Sequence, residues 1–215
     1  SSSEKSTFPD SLEEITILGR LDAYNDGLFA NTQISNIVIN TEEIHNNVFP
    51  VTLRTVTFVE DCGLTLIGKN AFKDSLITVV EIPNTVTRIE EGAFSGCALI
   101  KYNLPEALVY LGDFAFDTAI VKSLLIPANL EEIGHKSFNA SNLLTLEFAS
   151  GSKLRIIGDE AFSGALITSV TLPSSVEVIG NSSFASCELL VNFIIDTEAS
   201  KLVTIGNDAF AGCIS

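Results

Sequence analysis

The stretch IEEGAFSGC, residues 89–97, decides the fold of this chain, because versions of it return throughout the sequence. Close copies of its first six residues are IGKNAF (67–72), LGDFAF (111–116), IGHKSF (133–138), IGDEAF (157–162), IGNSSF (179–184) and IGNDAF (205–210). Two weaker copies, YNDGLF and IHNNVF, end at Phe29 and Phe49. We call each copy a Phe segment. Successive terminal Phe residues lie 20 (Phe29 to Phe49) to 26 (Phe184 to Phe210) positions apart, a period typical of a solenoid.

A second pattern precedes each Phe segment and predicts a strand. It consists of an apolar residue, two variable residues, an apolar residue, one variable residue and an apolar residue, as in Ile77, Val80 and Ile82. The last two apolar residues alternate with a variable one, which is the period of a strand with one buried face. Nine such strands, stacked about 4.8 Å apart, predict one parallel sheet roughly 40 Å long. Proline follows the strand in four repeats and, lacking an amide donor, ends the ladder there: Pro83, Pro105, Pro127 and Pro173.

The Phe segment itself predicts a tight bend at its second residue, usually Gly, followed by a helical turn. Its terminal aromatic residue recurs in every repeat, so that stacking the repeats predicts a buried column of nine rings. These are Phe29, Phe49, Phe72, Phe94, Phe116, Phe138, Phe162, Phe184 and Phe210.

Written as LxxVxIPxxVxxIGxxAFxxC, the repeat resembles the leucine-rich repeat of the BspA-like, Treponema pallidum type. The resemblance covers about residues 12–213 and implies a single leucine-rich repeat domain over residues 1–215, with about nine repeats of 20–26 residues. It implies a curved right-handed solenoid, with a parallel β-sheet on the concave face and short helical turns or loops on the convex face. It also implies a surface or secreted protein that acts in adhesion and host-protein binding.

Composition narrows the range of partners. The chain has 27 acidic and 12 basic residues, a net charge of −15, so it repels phosphate backbones and predicts no nucleic-acid partner. It has neither a polybasic segment nor a long apolar run, which predicts no membrane insertion by this segment. The sequence stops after AFAGCIS without a polar capping repeat, so we expect a fragment of a longer chain. An uncovered strand edge predicts a monomer or weak end-to-end association.

The sequence contains no constellation typical of an enzyme or a metal site. Cys97, Cys187 and Cys213 each lie three residues after a terminal Phe, where other repeats have Ser or Ala, so we interpret them as small, half-buried residues. A disulfide between Cys187 and Cys213 is the less favoured alternative, because parallel side chains do not meet. His45 and His135 are four repeats apart, and no CxxC, calcium-loop, nucleophile or phosphate-binding motif occurs. We therefore predict no cofactor, no metal and no enzymatic activity.

The variable strand positions predict the binding surface, on the concave face. Thr and Ser are the commonest residues there, as on a solvated strand face, but apolar residues and two lysines cluster in the central repeats. The candidate partner-binding residues are Val79, Ile100, Lys101, Lys122, Leu125 and Leu144; scattered strand formers are the alternative interpretation. The leading functional prediction is an extracellular or cell-surface binding module for an extracellular protein or glycan. The alternative is a structural spacer or stalk that displays another domain.

Overall fold

A computed structural model describes residues 8–9, 11–18, 27–29, 31–195 and 199–214 of the chain. Within these ranges the chain forms seventeen short strands in two series, and none of the described residues is helical. No helix that could cross a bilayer therefore occurs among them. The first series lies at the predicted strand positions: β1 (Glu14–Leu18), β2 (Asn36–Asn40), β4 (Thr55–Phe58), β6 (Val79–Val80), β8 (Lys101–Tyr102), β10 (Ser123–Ile126), β12 (Thr145–Phe148), β14 (Ser169–Thr171) and β16 (Asn192–Ile194).

The second series was not predicted. Its members are β3 (Glu43–Ile44), β5 (Leu66–Ile67), β7 (Arg88–Ile89), β9 (Tyr110–Leu111), β11 (Glu132–Ile133), β13 (Ile156–Ile157), β15 (Val178–Ile179) and β17 (Thr204–Ile205). They form one continuous eight-stranded parallel sheet in the order β17-β15-β13-β11-β9-β7-β5-β3. Each strand ends on the first residue of a Phe segment, and these residues pair in register, as Ile67, Ile89 and Leu111 do. The Phe segment thus opens on a strand rather than on a bend.

The glycine in the second place of the Phe segment is required by the close approach of adjacent repeats. A turn begins at this glycine, since the Ser137 amide donates to the Gly134 carbonyl at 3.4 Å, but Gly134 and its equivalents do not have a positive φ. A Cβ atom at Gly134 would lie 2.6 Å from the carbonyl carbon of Gly112 and 2.7 Å from the amide nitrogen of Asp113. A side chain at Gly134 would therefore have to displace main chain of the preceding repeat.

The rest of each Phe segment forms turns rather than the expected helical turn. In the repeat around Phe138, Lys136 has a φ of 53° and Ala140 a φ of 52°, both in the left-handed region. A left-handed residue occupies the fourth place of all nine Phe segments. Such residues interrupt a right-handed helix after a single turn. The freed amides bond across repeats, as the Phe138 amide does to the Ala161 carbonyl at 3.0 Å.

The column of terminal Phe rings is confirmed. Neighbouring ring centroids lie 4.7–6.1 Å apart and their planes are within 4–18° of parallel. The rings from Phe72 to Phe184 are completely buried. Phe8 adds one more ring at the first end, 5.1 Å from Phe29. The core of the protein is therefore a line of stacked rings that continues through every repeat.

The first series confirms the predicted strand positions but does not form one sheet. Its nine parallel strands fall into four ladders, β1-β2-β4, β6-β8, β10-β12 and β14-β16. The predicted alternation holds within them: in β10, Leu124 and Ile126 are buried while Leu125 is exposed. One of the breaks between these ladders divides the predicted binding surface.

Candidate partner-binding face

The exposed side chains of the first-series strands, together with those of the residue directly before each strand, form a surface that we call the strand face. All six candidate residues lie on it and are exposed to solvent. The four apolar ones, Val79, Ile100, Leu125 and Leu144, are between 42% and 59% exposed. This exposure is large for aliphatic side chains, and it leaves them available to a partner. That they bind one stays a prediction.

The structure divides these residues into two groups on neighbouring ladders. The first group, on β6 and β8 or directly before β8, is Val79, Ile100 and Lys101; the second, on β10 or directly before β10 and β12, is Lys122, Leu125 and Leu144. Within the first group, Val79 lies directly opposite Lys101. Within the second, the amide of Leu144 donates to the carbonyl of Lys122 at 2.9 Å. The two groups face each other across an interruption of the ladder.

This interruption, the β8–β10 gap, is wider than the others. In β4 and β6, and likewise in β12 and β14, Cα atoms of the two strands approach within 8 Å, but no Cα atom of β8 lies within 8 Å of one in β10. Strands in a sheet are normally about 4.8 Å apart. A cavity of about 750 Å³ adjoins the gap, and Tyr102, Leu104, Leu124, Leu125 and Pro127 are among the residues that line it.

Tyr102 occupies the inward position of β8, where neighbouring repeats have the smaller Val80 and Leu124. Its ring stacks on that of Phe116, with centroids 4.4 Å apart and planes within 7°. Its hydroxyl oxygen is buried and has no hydrogen-bond partner. Burial also raises the pKa of Tyr102, so the hydroxyl stays protonated throughout the physiological range. The sequence pattern counted Tyr102 among the apolar residues, which hid both its size and its polar atom.

Tyr102→Phe is expected to raise the free energy of unfolding by about 1 kcal/mol. The substitution keeps the ring and its stacking but removes a buried hydroxyl that lacks a partner, and desolvating such a group is costly. Thermal unfolding followed by circular dichroism should show a higher Tm. The control is Tyr110→Phe, at a half-exposed tyrosine, which should change little. A lower Tm for Tyr102→Phe would mean that the hydroxyl is satisfied in solution.

Two cations lie next to the gap on this acidic chain. Lys101 is 3.7 Å from the carboxylate of Glu81, and both side chains are more than two-thirds exposed. Lys122 forms no ion pair with any described residue. Exposed pairs contribute about 0–1 kcal/mol, so neither lysine is held tightly by its own chain. Both can change partners when another molecule binds.

The eight-stranded sheet presents a second polar row that sequence reasoning missed. The Arg88 guanidinium lies 4.3 Å from the ring centroid of Tyr110 and forms an ion pair with Glu90 at 2.9 Å. Farther along, Arg155 donates two hydrogen bonds to the Glu177 carboxylate, and this hydrogen bonding lowers the pKa of Glu177. The available signal was the charged and aromatic residues that occur one or two places before the Phe segments, such as Arg88, Tyr110 and Arg155. These charges already have partners within the chain.

The cysteines show no sign of reactive or metal-binding chemistry. Cys97 and Cys187 are fully buried rather than half-buried as predicted, and their thiols donate to the carbonyls of Phe72 and Phe162 in the preceding repeats. Burial raises the pKa of Cys97 to about 11 and that of Cys187 to about 12, which keeps both thiols protonated. All four cysteines are free thiols. Among the described residues, no three His, Cys, Asp or Glu side chains are grouped so that they could hold a metal ion.

Comparison with known proteins identifies the repeat. The family model of the BspA type leucine rich repeat region matches residues 1–62 and 65–191, with 6 copies. The Leucine Rich Repeat protein of T. pallidum has a similar structure, with a TM-score of 0.59 and 21% identity over 94% of this chain and 82% of that one. A leucine rich cell surface protein from Faecalibacterium prausnitzii A2-165 has a TM-score of 0.51 and 21% identity, over 95% and 74% of the two chains. At this identity the two structures show a common fold only. No curated protein matches the chain.

Proposed function

The chain belongs to the BspA-type leucine-rich repeat family, and on that premise we propose that it is a non-enzymatic binding module of an extracellular or cell-surface protein. It binds a protein partner through the strand face. The partner is a host protein or another extracellular protein, and the binding serves adhesion or recognition. The description of the Faecalibacterium prausnitzii relative as a cell surface protein supports this location.

One observation carries the proposal: exposed aliphatic side chains occur in consecutive central repeats, beside cations, on a chain of net charge −15. The inward side chains of the strands form the core, so the exposed candidate residues are not needed for folding. A mixed surface of this kind offers an apolar centre that a partner can bury, with a charged rim. Aliphatic side chains favour a protein over a glycan, because sugar rings stack preferentially on exposed aromatic faces. A glycan partner remains an outcome of the test below.

The double substitution Leu125→Ser with Leu144→Ser is expected to weaken binding tenfold or more. Each anchor that a partner buries contributes about 1–2 kcal/mol, and 1.4 kcal/mol corresponds to tenfold in Kd. The partner is first selected on arrays of purified extracellular proteins and of glycans. Titration calorimetry then compares the Kd of the variant with that of the unchanged chain, and Tm verifies that the fold is retained.

The matched control is Leu76→Ser with Leu189→Ser, at two leucines that are similarly exposed but lie before the first apolar residue of the strand pattern, outside the strand face. It should bind as the unchanged chain does. The proposal fails if the Leu125 and Leu144 variant retains both its Tm and its affinity, or if the control loses as much affinity. Selection of a glycan alone would replace the protein partner by a carbohydrate one.

A spacer that displays another domain is the second candidate. The observation in its favour is the continuity of the eight-stranded sheet and of the Phe column, which would hold the two ends of the stack at a fixed separation. A chain that selects nothing on either array would favour this function.

A further inference from the structure

We propose that the β8–β10 gap is a docking site for an extended peptide segment of a protein partner, which pairs its main chain with both strands. This inference rests on the proposed function and specifies how the partner is held. It concerns the main chain within the gap, whereas the proposed function concerns the side chains on either side of it.

Each strand that borders the gap has one unpaired edge. β8 pairs only with β6, and β10 pairs only with β12. Periodicity would place Leu124 of β10 opposite Tyr102 of β8, since Val80 pairs with Tyr102 and Leu124 pairs with Leu146. No backbone hydrogen bond joins these two strands. Unpaired strand edges bind extended peptides by adding a strand to the sheet.

The gap is wider than one strand spacing. The Cα atoms of β8 and β10 are more than 8 Å apart, whereas paired strands lie about 4.8 Å apart, so there is space between the two strands. The amino-terminal end of the gap is closed, because the Ile120 amide donates to the Leu99 carbonyl at 2.7 Å. The carboxyl-terminal end opens into the 750 Å³ cavity. An incoming segment would therefore enter from the cavity and extend toward the closed end.

The polar side chains next to the gap do not bridge it. The Asn103 side chain bonds to both the amide and the carbonyl of Ile82, each at 2.9 Å, and so is committed to the preceding repeat. The ring of Tyr102 stacks on the buried ring of Phe116, so the Tyr102 hydroxyl is buried in the core and a docked segment does not contact it.

The surroundings of the gap define the chemistry of the segment. Leu125 on β10 and Ile100 directly before β8 expose apolar surface beside the gap, which favours apolar side chains at alternate positions of the peptide. Lys101 and Lys122 flank the gap toward its closed end, and Lys122 is without an ion pair among the described residues. A carboxylate at that end of the peptide would complement them.

The test uses a defined probe, the peptide acetyl-Glu-Val-Thr-Val-Thr-Val-amide, at millimolar concentration with the full chain. In β10 the Leu124 amide faces β12, whereas the Leu125 amide faces the gap. Residue-resolved hydrogen exchange by NMR should show that the Leu125 amide exchanges rapidly in the free protein and at least tenfold more slowly with the peptide. The matched control is the same peptide N-methylated at its valines, which cannot donate from those positions and should give no protection. Slow exchange at Leu125 without the peptide would overturn the proposal, because the strands would then pair in solution. Rapid exchange that the peptide does not slow would overturn it equally.

The variant Tyr102→Leu gives β8 the small inward residue of its neighbours and is expected to let β10 pair with β8. Its Leu125 amide should exchange slowly without the peptide, and the peptide should have no further effect. Docking of the peptide to this variant as well as to the unchanged chain would place the peptide elsewhere and overturn the proposal. If the gap fails these tests while binding of the array partner still depends on Leu125 and Leu144, only the present inference fails. If the peptide docks while the arrays select nothing, the proposed function fails instead.

Discussion

Phe138→Ala is expected to lower the free energy of unfolding by about 3–5 kcal/mol. Phe138 is fully buried between Phe116 and Phe162, at centroid distances of 5.8 and 5.5 Å, and the three rings are nearly parallel. Truncation removes apolar burial and stacking with both neighbours and leaves a cavity in the middle of the column, where main-chain contacts prevent collapse. Chemical denaturation followed by circular dichroism measures the loss.

Phe210→Ala is the control at the end of the same column. Phe210 is partly exposed and has one column neighbour, Phe184 at 5.7 Å, together with an edge contact to Phe193. Its truncation should cost clearly less than that of Phe138. Equal losses at the two positions would show that stacking along the column does not determine stability.

Gly134→Ala is expected to lower the free energy of unfolding by about 1–3 kcal/mol, the usual range for overpacking. The added Cβ atom would meet main-chain atoms of Gly112 and Asp113 at 2.6–2.7 Å, and main chain cannot rotate away as a side chain can. The cost is limited because Glu90 holds the equivalent place in another repeat, so a local shift can accommodate a side chain.

Gly63→Ala is the matched control for this prediction. A Cβ atom at Gly63 would meet only the Cγ atom of Glu42, at 4.0 Å, and its φ is not positive. Its stability should change by no more than about 0.5 kcal/mol. A Gly134→Ala variant as stable as this control would contradict the close packing of successive main chains.

The sequence predicted those parts of the fold that every repeat shares. A side chain buried in one repeat must be buried in the next, so the period of the terminal Phe residues was enough to predict the ring column. Likewise, the alternation of Leu124, Leu125 and Ile126 was enough to predict which strand residues point inward.

The second sheet could not be predicted in the same way. Its strands are only two residues long, as in β9 and β11, too short for an alternating pattern to appear. The expected helical turn was wrong for a related reason. Lys136 and Glu160 are good helix formers by propensity, yet both adopt a left-handed conformation because bonding between repeats outweighs local preference.

The candidate site was predictable in part. Alternation along each strand predicted that the six residues of the binding surface are exposed. The gap that divides them was not predictable, because a regular repeat implies a uniform spacing between strands. The gap occurs beside Tyr102, which has a ring and a hydroxyl at a place where the neighbouring repeats have the aliphatic Val80 and Leu124.

Deletion of residues 117–138 most directly tests the claim that each Phe segment closes one independent repeat of the stack. The deletion removes one 22-residue period and joins Phe116 to Asn139, which itself follows a terminal Phe, so the register of all remaining repeats is kept. Stability in such stacks is approximately a sum of repeat and neighbour contributions. The shortened chain should therefore remain soluble, keep a β-rich circular dichroism spectrum and unfold cooperatively at a reduced Tm. Deletion of residues 128–138 alone, half a period, should abolish folding. Equal damage from the two deletions would contradict the account.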